Sequence, residues 1–505
     1  DGCLMEGVGA EAASLAGHLA LDNLCWIYDN NHITIEGSTS LAFTEDVAAR
    51  FLGYGWNVQR VGDANDIDRI EQALRTAAST PGRPTLIILD THIGYGSPHK
   101  QDSPEAHGEP LGVEEVRLTK RNYGWPEDSS FLVPDGVQAH LDQGIGARGS
   151  AARETWTALV ERYGAQYPDL AKEIDLMQRR ELPEGWDRDM PTFSADPKGL
   201  AGRDASSKCL NALAPRVPWL LGGSADLGPS NRTLLTFSGA GDFEPGQAGR
   251  NLHFGIREHA MTAISNGLSL SKLRPYCATF FIFSDYAKPA LRLSALMELP
   301  VIFVYTHDAM GDGEDGPTHQ PIEQLASMRA IPGLVTIRPC DANEVVEAYR
   351  VVMQLRHQPA VLALSRQALP TLDRSRYAPA SGLARGAYIL AEAPGGRPEI
   401  ILIATGSEVH LAIAAHETLV AEGVRSRVVS MPSWELFEAQ PHVYRDEVLP
   451  PDITARVAIE QASTFGWERY VGWRGRTIGM HTFGASAPLK ALEQRFGFEP
   501  DRVVE

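Results

Sequence analysis

Apolar runs of strand length alternate along the chain with segments whose hydrophobic positions recur every third or fourth residue. The first cycle predicts a small-residue helix from about Glu6 to Leu21. It continues with the strand NLCWIYD, a helix around DVAARFLGYG, the short strand WNVQRV, the helix IDRIEQALRTAA and the strand TLIILDT. A second series starts near Gly199, with strands in VPWLLGG, RPYCATF, LPVIFVYT, GLVTIRP and AVLALS. A third starts near Ala384, with EIILIAT, SRVVSM, RVAIEQ and the helix EVHLAIAAHETLVAEG. Between about residues 125 and 195 the strand signal fades into helix and a linker carrying Pro183, Gly185 and Pro191. Strand–helix alternation implies mainly parallel sheets flanked by helices. The pattern therefore predicts an α/β protein of three successive domains, at 1–190, 191–380 and 381–505.

Composition narrows the class. The 505 residues are 43% hydrophobic and 22% charged, as in ordinary globular proteins, and there is enough chain for full-sized cores. A formal net charge of −18 argues against nucleic acid or an anionic membrane surface as the main partner. Apolar runs such as LPVIFVY are far too short to span a bilayer. Cys3, Cys25, Cys209, Cys277 and Cys340 are scattered without paired spacing, which reads as free thiols in a reducing, cytoplasmic setting.

Four constellations carry candidate chemistry. Asp1-Gly2 and Asp29-Asn30-Asn31-His32-Ile33 are each read as the carboxyl end of a strand, where parallel sheets bind ligands. A carboxylate, an amide oxygen and a backbone carbonyl suit Mg²⁺ or Ca²⁺, although DG and NN are also ordinary turn residues. Phe280, Phe283 and Tyr286 recur every third residue as a strand turns into a helix. Such a stripe is commonly core. Here GIREHAM lies upstream, and its Glu258 could protonate a heterocycle stacked on the rings. Thr306-His307-Asp308 and the loop Gly311-Asp312-Gly313-Glu314-Asp315-Gly316-Pro317-Thr318-His319 follow the apolar strand LPVIFVY, placing His307, Asp315 and His319 at another strand end. Arg203, Ser230 in GGSADLGPSN, and Arg366 in LSRQ form a dispersed set that could bind phosphate, since guanidinium groups grip it bidentately. The stretch at 93–110, rich in Pro, Gly and His, is too long for an ordinary connection and is expected to be functional.

Taken in order, these blocks resemble the transketolase family. DGCLMEG with DNNHITIEG resembles its thiamine diphosphate signature. THIGYGSP with AHG, GGSADLGPSN, GIREHAM, TFFIFSDYA, THDAMGDGEDGPTHQP, RPCDANE, LSRQ, ATGSEV and TFGASAP follow in the family's order. The resemblance implies a thiamine diphosphate-binding fold. In it Asp1, Asn31 and the Ile33 carbonyl would hold the divalent ion, and Asp1-Gly2 would sit at the diphosphate. Glu258 would pair with N1′ of the aminopyrimidine, enclosed by Phe280, Phe283 and Tyr286. Glu6 would lie at a homodimer contact beside the cofactor, because the family builds its sites between subunits. Arg203, Ser230, His307 and Arg366 match positions that grip the sugar phosphate. His107, Asp315 and His319 match positions along the substrate channel, with His107 and His319 moving protons to and from sugar hydroxyls.

The implied reaction is reversible transfer of a two-carbon ketol unit from a ketose phosphate to an aldose phosphate. The resemblance starts inside its own signature, so the first domain is expected to be truncated, lacking the N-terminal part of the diphosphate-binding domain. That leaves two other readings: a catalytically incomplete chain acting as a binding partner or half-enzyme, and a related thiamine enzyme such as deoxyxylulose-phosphate synthase. GEDGPTHQP beside LSRQ argues against the last.

Overall fold

The computed structural model describes residues 1–505. The chain forms two compact units, residues 1–172 with 244–246, and the remainder.

The first unit is built on a parallel sheet of β1 (Cys25–Asn30), β2 (Asn57–Val61) and β3 (Thr85–Asp90), in the order β1-β3-β2. Its core gathers Ala13, Ala16, Tyr28, Phe51, Trp56 and Ile88. The expected first helix begins at Gly7 and ends at His18, because Glu6 is extended and separates it from the short turn Gly2–Met5. Its small residues serve packing within the chain at two points. The Trp56 indole N–H donates to the Ala13 carbonyl at 2.8 Å. A Cβ on Gly17 would sit 1.9 Å from the Tyr54 carbonyl oxygen. The helices Ala147–Gln166 and Pro168–Gln178 that follow bury no residue.

The second unit holds three sheets. Its central one is six-stranded and parallel: β5 (Leu220–Ser224), β6 (Asn251–His253), β7 (Arg274–Phe280), β8 (Ile302–Thr306), β9 (Val335–Ile337) and β10 (Ala360–Leu364), ordered β6-β5-β7-β8-β10-β9. Every residue of β8 and β10 is buried, as expected of strands covered on both faces. The register pairs Phe280 with Thr306 and Thr306 with Leu364, so the carboxyl ends of β7, β8 and β10 finish side by side. β4 (Asp196–Ala201) and β11 (Ala368–Thr371) form a separate antiparallel pair. A five-stranded sheet follows, made of β12 (Tyr388–Ala391), β13 (Ile400–Ala404), β14 (Ser426–Ser430), β15 (Arg456–Ser463) and β16 (Arg476–Met480), ordered β12-β14-β13-β15-β16 with β12 alone antiparallel. No helix is long and apolar enough to cross a membrane.

Replacing Gly17 with Ala forces the Tyr54 backbone away. The expected cost is about 1–3 kcal/mol, read as a lower denaturation midpoint; an unchanged midpoint would show that this helix is not seated by the close approach.

Candidate active site

At the head of the first unit, Asp1 meets the turn after β1. Its Oδ2 accepts the backbone N–H groups of Asn31 at 3.1 Å and His32 at 2.9 Å, and its Oδ1 accepts the Tyr28 hydroxyl. Asn31 Oδ1 accepts the Ile33 N–H at 3.0 Å, while its amide donates to Asp29. Asp1, Asn31 and Ile33 thus fall within one hydrogen-bonded cluster whose acceptors are all oxygen, the donor chemistry of Mg²⁺ or Ca²⁺. A cavity of about 480 Å³ opens beside it, lined by Tyr28, Asn30, His32 and Arg60 among others. Gly2 and Glu6 are exposed nearby in sequence. His107 is exposed on the short helix Glu105–Gly108. The loop before it is tethered by Glu115, which accepts the Ser97 hydroxyl and the His99 N–H; these bonds hold its carboxyl down to about 2.

In the second unit Glu258 opens the helix Glu258–Leu270 and is only 8% exposed, with the Thr279 hydroxyl 3.5 Å from its Oε1. Thr279 precedes Phe280 at the end of β7. The rings of Phe280 and Phe283 lie 6.1 Å apart and nearly parallel, and Tyr286 extends the row at 6.1 Å from Phe283. This is not a core stripe, because Tyr286 is 64% exposed. The His307 ring lies 3.7 Å from that of Phe280, and His319 stands edge-on to Phe283 at 5.6 Å. The aromatic row and the histidines therefore share a wall.

His307 has φ of +62°, an uncommon conformation for a residue with a Cβ. Its surroundings determine its protonation. Ser224 donates to Asn231 Oδ1 at 2.8 Å, Asn231 Nδ2 donates to Thr306 Oγ1 at 2.7 Å, and Thr306 Oγ1 lies 2.7 Å from His307 Nδ1. The Thr306 hydroxyl, with one proton and a second lone pair, bonds Nδ1 as donor or acceptor according to the His307 tautomer. Burial first, then Arg203, Arg366 and His319, push His307 down to about 3. It is a neutral ring.

Arg203 and Arg366 converge because the Gly202 N–H donates to Ser365 Oγ at 2.9 Å, joining the start of one helix to the end of β10. Arg203 donates to the Ser230 carbonyl at 3.0 Å, and its Nε is buried without a hydrogen-bond partner. Arg366 donates to the Gly311 carbonyl at 3.3 Å and remains partly exposed. Asp315 is exposed on the following turn.

Comparison with known proteins identifies the family. The transketolase thiamine diphosphate-binding domain matches residues 1–183, the transketolase pyrimidine-binding domain residues 198–371, and the transketolase-like C-terminal domain residues 386–499. The chain belongs to the transketolase family. It is 48% identical over its whole length to the transketolase of Geobacillus stearothermophilus and 47% identical to the chloroplastic transketolase-1 of Arabidopsis thaliana, spanning 75% and 68% of those proteins. Leishmania mexicana transketolase superposes with a TM-score of 0.95 at 43% identity, all of this chain covering 73% of that one. A Pichia stipitis transketolase in complex with sedoheptulose 7-phosphate superposes with a TM-score of 0.94 at 40% identity, again over all of this chain and 74% of its own. The chain is accordingly a transferase that moves a two-carbon ketol unit between sugar phosphates through thiamine diphosphate.

Behind His307 lies a buried ion network that the sequence motifs left unassigned. Arg338, in RPCDANE, donates to Asp308 Oδ2 at 2.7 Å, to Glu408 and to the Thr405 carbonyl at 3.1 Å. Glu460 accepts both Arg329 guanidinium nitrogens at 2.8 Å, the Thr405 hydroxyl at 2.6 Å and the Trp467 indole at 2.9 Å. Burial alone would push the Arg338 guanidinium down, but Glu408 and Asp308 outweigh it and keep it charged. At Glu460 burial is likewise outweighed, by Arg329. Arg338→Met would strand Asp308 and Glu408 as unpaired buried carboxylates. The expected loss is about 3–5 kcal/mol, measured by chemical unfolding; a loss near zero would mean that the two acids are neutral in the fold.

Proposed function

We propose that the residues above divide the transketolase reaction among themselves as follows. Thiamine diphosphate, when bound, supplies the electron sink for the acyl carbanion left as the C2–C3 bond of the ketose breaks. Glu258 holds a proton at N1′ of the aminopyrimidine, and the exposed faces of Phe280, Phe283 and Tyr286 hold that ring flat. Asp1, Asn31 and the Ile33 carbonyl hold a divalent ion at the diphosphate. No three acidic, His or Cys side chains converge to hold a metal ion. Bound there, the ion would need further oxygen ligands from outside the chain, which would couple its affinity to the cofactor's.

Arg203, Ser230, Arg366 and the neutral His307 ring bind the sugar phosphate and its hydroxyls. His319, against the aromatic wall, and His107, from the first unit, move protons at sugar hydroxyls, and Asp315 orients them. Site completion in a homodimer is supported by exposed Glu6 and by Ile256 and Tyr286, large apolar or aromatic side chains left exposed. A cytoplasmic setting accords with five free cysteines. Domain limits at 1–190, 191–380 and 381–505 complete the reading.

The single observation that carries the assignment is the 3.7 Å contact of the Phe280 and His307 rings. It brings the face offered to the cofactor ring and the group offered to the sugar into contact.

Two substitutions in the holoenzyme test it. Glu258→Gln removes the proton site while keeping the shape, and kcat should fall about 10²- to 10⁴-fold; an unaltered kcat would remove Glu258 from the chemistry. Arg366→Ala should raise KM for phosphorylated sugars about tenfold or more, the worth of a charge-assisted hydrogen bond. A fall in kcat alone would take Arg366 out of the phosphate grip.

A further inference from the structure

Asp312 occupies the middle of the turn that follows β8, between Gly311 and Gly313, and is 1% exposed. Neither carboxylate oxygen has a hydrogen-bond partner. A buried carboxylate normally accepts several, so this one carries a desolvation cost that its fold does not offset. The turn cannot easily swing it out. A Cβ on Gly311 would collide with the Gln367 amide oxygen at 2.0 Å, and Gly313 holds φ of +61° over the backbone of Ala487 and Leu489.

The charged and titratable groups around Asp312 are those of the proposed sugar phosphate grip. Its Oδ1 lies 3.6 Å from His307 Nε2 at the end of β8, and 3.7 Å from Arg366 Nε at the end of β10. Arg203, from the helix Gly202–Leu213, also acts on it, as do Asp308 on its β8 side and Asp315 on its own turn. His307 is neutral, so the positive charge facing Asp312 comes from the two arginines alone.

We propose that Asp312 sets the phosphate selectivity of this site: ionised, it competes with the substrate's phosphate for Arg366 and Arg203, and protonated, it releases both to the phosphate. The inference rests on the grip reading given above. Burial pushes the Asp312 carboxyl up to about 7, with Asp315 and Asp308 adding to the rise and Arg366 and Arg203 opposing it. The group is thus poised to change charge in the working range. The sign follows. A dianion beside Asp312 favours its protonated form, so binding takes up a proton and weakens as pH rises through about 7. The phosphate's own second ionisation, near about pH 6, works in the opposite direction and has to be separated out.

Two measurements on the holoenzyme do this. The first uses sulfate, which stays divalent throughout, as a competitive inhibitor of the unmodified chain. If the bound anion raises the Asp312 pKa by about one unit, the inhibition constant rises about five- to tenfold between about pH 6 and about pH 8.5; a flat constant would overturn the proposal. The second compares KM for a phosphorylated and an unphosphorylated aldose acceptor in the unmodified chain, in Asp312→Asn and in Arg366→Ala. With Asp312→Asn the ratio of unphosphorylated to phosphorylated KM should rise about five- to tenfold at about pH 8.5 and change little at about pH 6. A ratio unchanged at both pH values would overturn the role of Asp312. If Arg366→Ala raises KM for the phosphorylated acceptor while that ratio stays fixed, the grip stands and only the Asp312 inference falls. If Arg366→Ala leaves KM unmoved, the grip reading falls and takes the inference with it.

Discussion

Arg338 leaves β9 into an interior where its guanidinium is almost completely shielded from water, and it survives there because two segments remote in sequence bring carboxylates to it. Each buried ion costs several kcal/mol of lost hydration, a cost that only a fully hydrogen-bonded partner set offsets. The partners are Asp308, one residue beyond His307, and Glu408 with Thr405 from the turn ATGSEV. The strained histidine therefore cannot settle unless the five-stranded sheet is in place behind it. About a quarter of the chain, with no evident chemistry of its own, becomes the backing plate for His307. The same network reaches Arg329 and Trp467 through Glu460, so the backing is continuous.

On the near side of that support, polar side chains run in a single line from Ser224 through Asn231 and Thr306 to His307. Hydroxyl and amide alternate along it, and the line ends on the imidazole Nδ1. A line of this kind is a consequence of parallel topology. β5 and β8 deliver their last residues to the same end of the sheet, and Asn231, just beyond β5, bridges them. The His307 ring is thereby held at the end of β8.

Strand–helix alternation was readable because β3, β8, β10 and β13 are near-continuous apolar runs, and runs buried on both faces cannot be mistaken for solvent-exposed turns. β4, β11 and β12 escaped because antiparallel edge strands need only one apolar face. DPKGLA and ALPT even contain Pro and Gly, which argue against strand in isolation. The first helix is shorter than its periodicity suggests, since two glycines in its opening turn, Gly7 and Gly9, let Glu6 stay extended. At the candidate site, motif order singled out Glu258, the aromatic row and the arginines. The Arg338 network remained hidden because its members are separated by 30 and 70 positions, a distance that only the fold closes. Asp312 was in plain view within GDGEDG, but among so many acids nothing marked the one that is buried.

The bond from Gly202 to Ser365 spans 163 positions, and the two arginines on either side of it exist as a pair only once the β4 side of the unit has met the end of β10. An anion that bridges them ties together both ends of that long segment. Ligand concentration is then a stability variable for the unit: by mass action, a hundredfold excess over the dissociation constant adds about 2.7 kcal/mol. Metabolite supply would thereby protect the folded population from proteolysis, independently of any catalytic turnover.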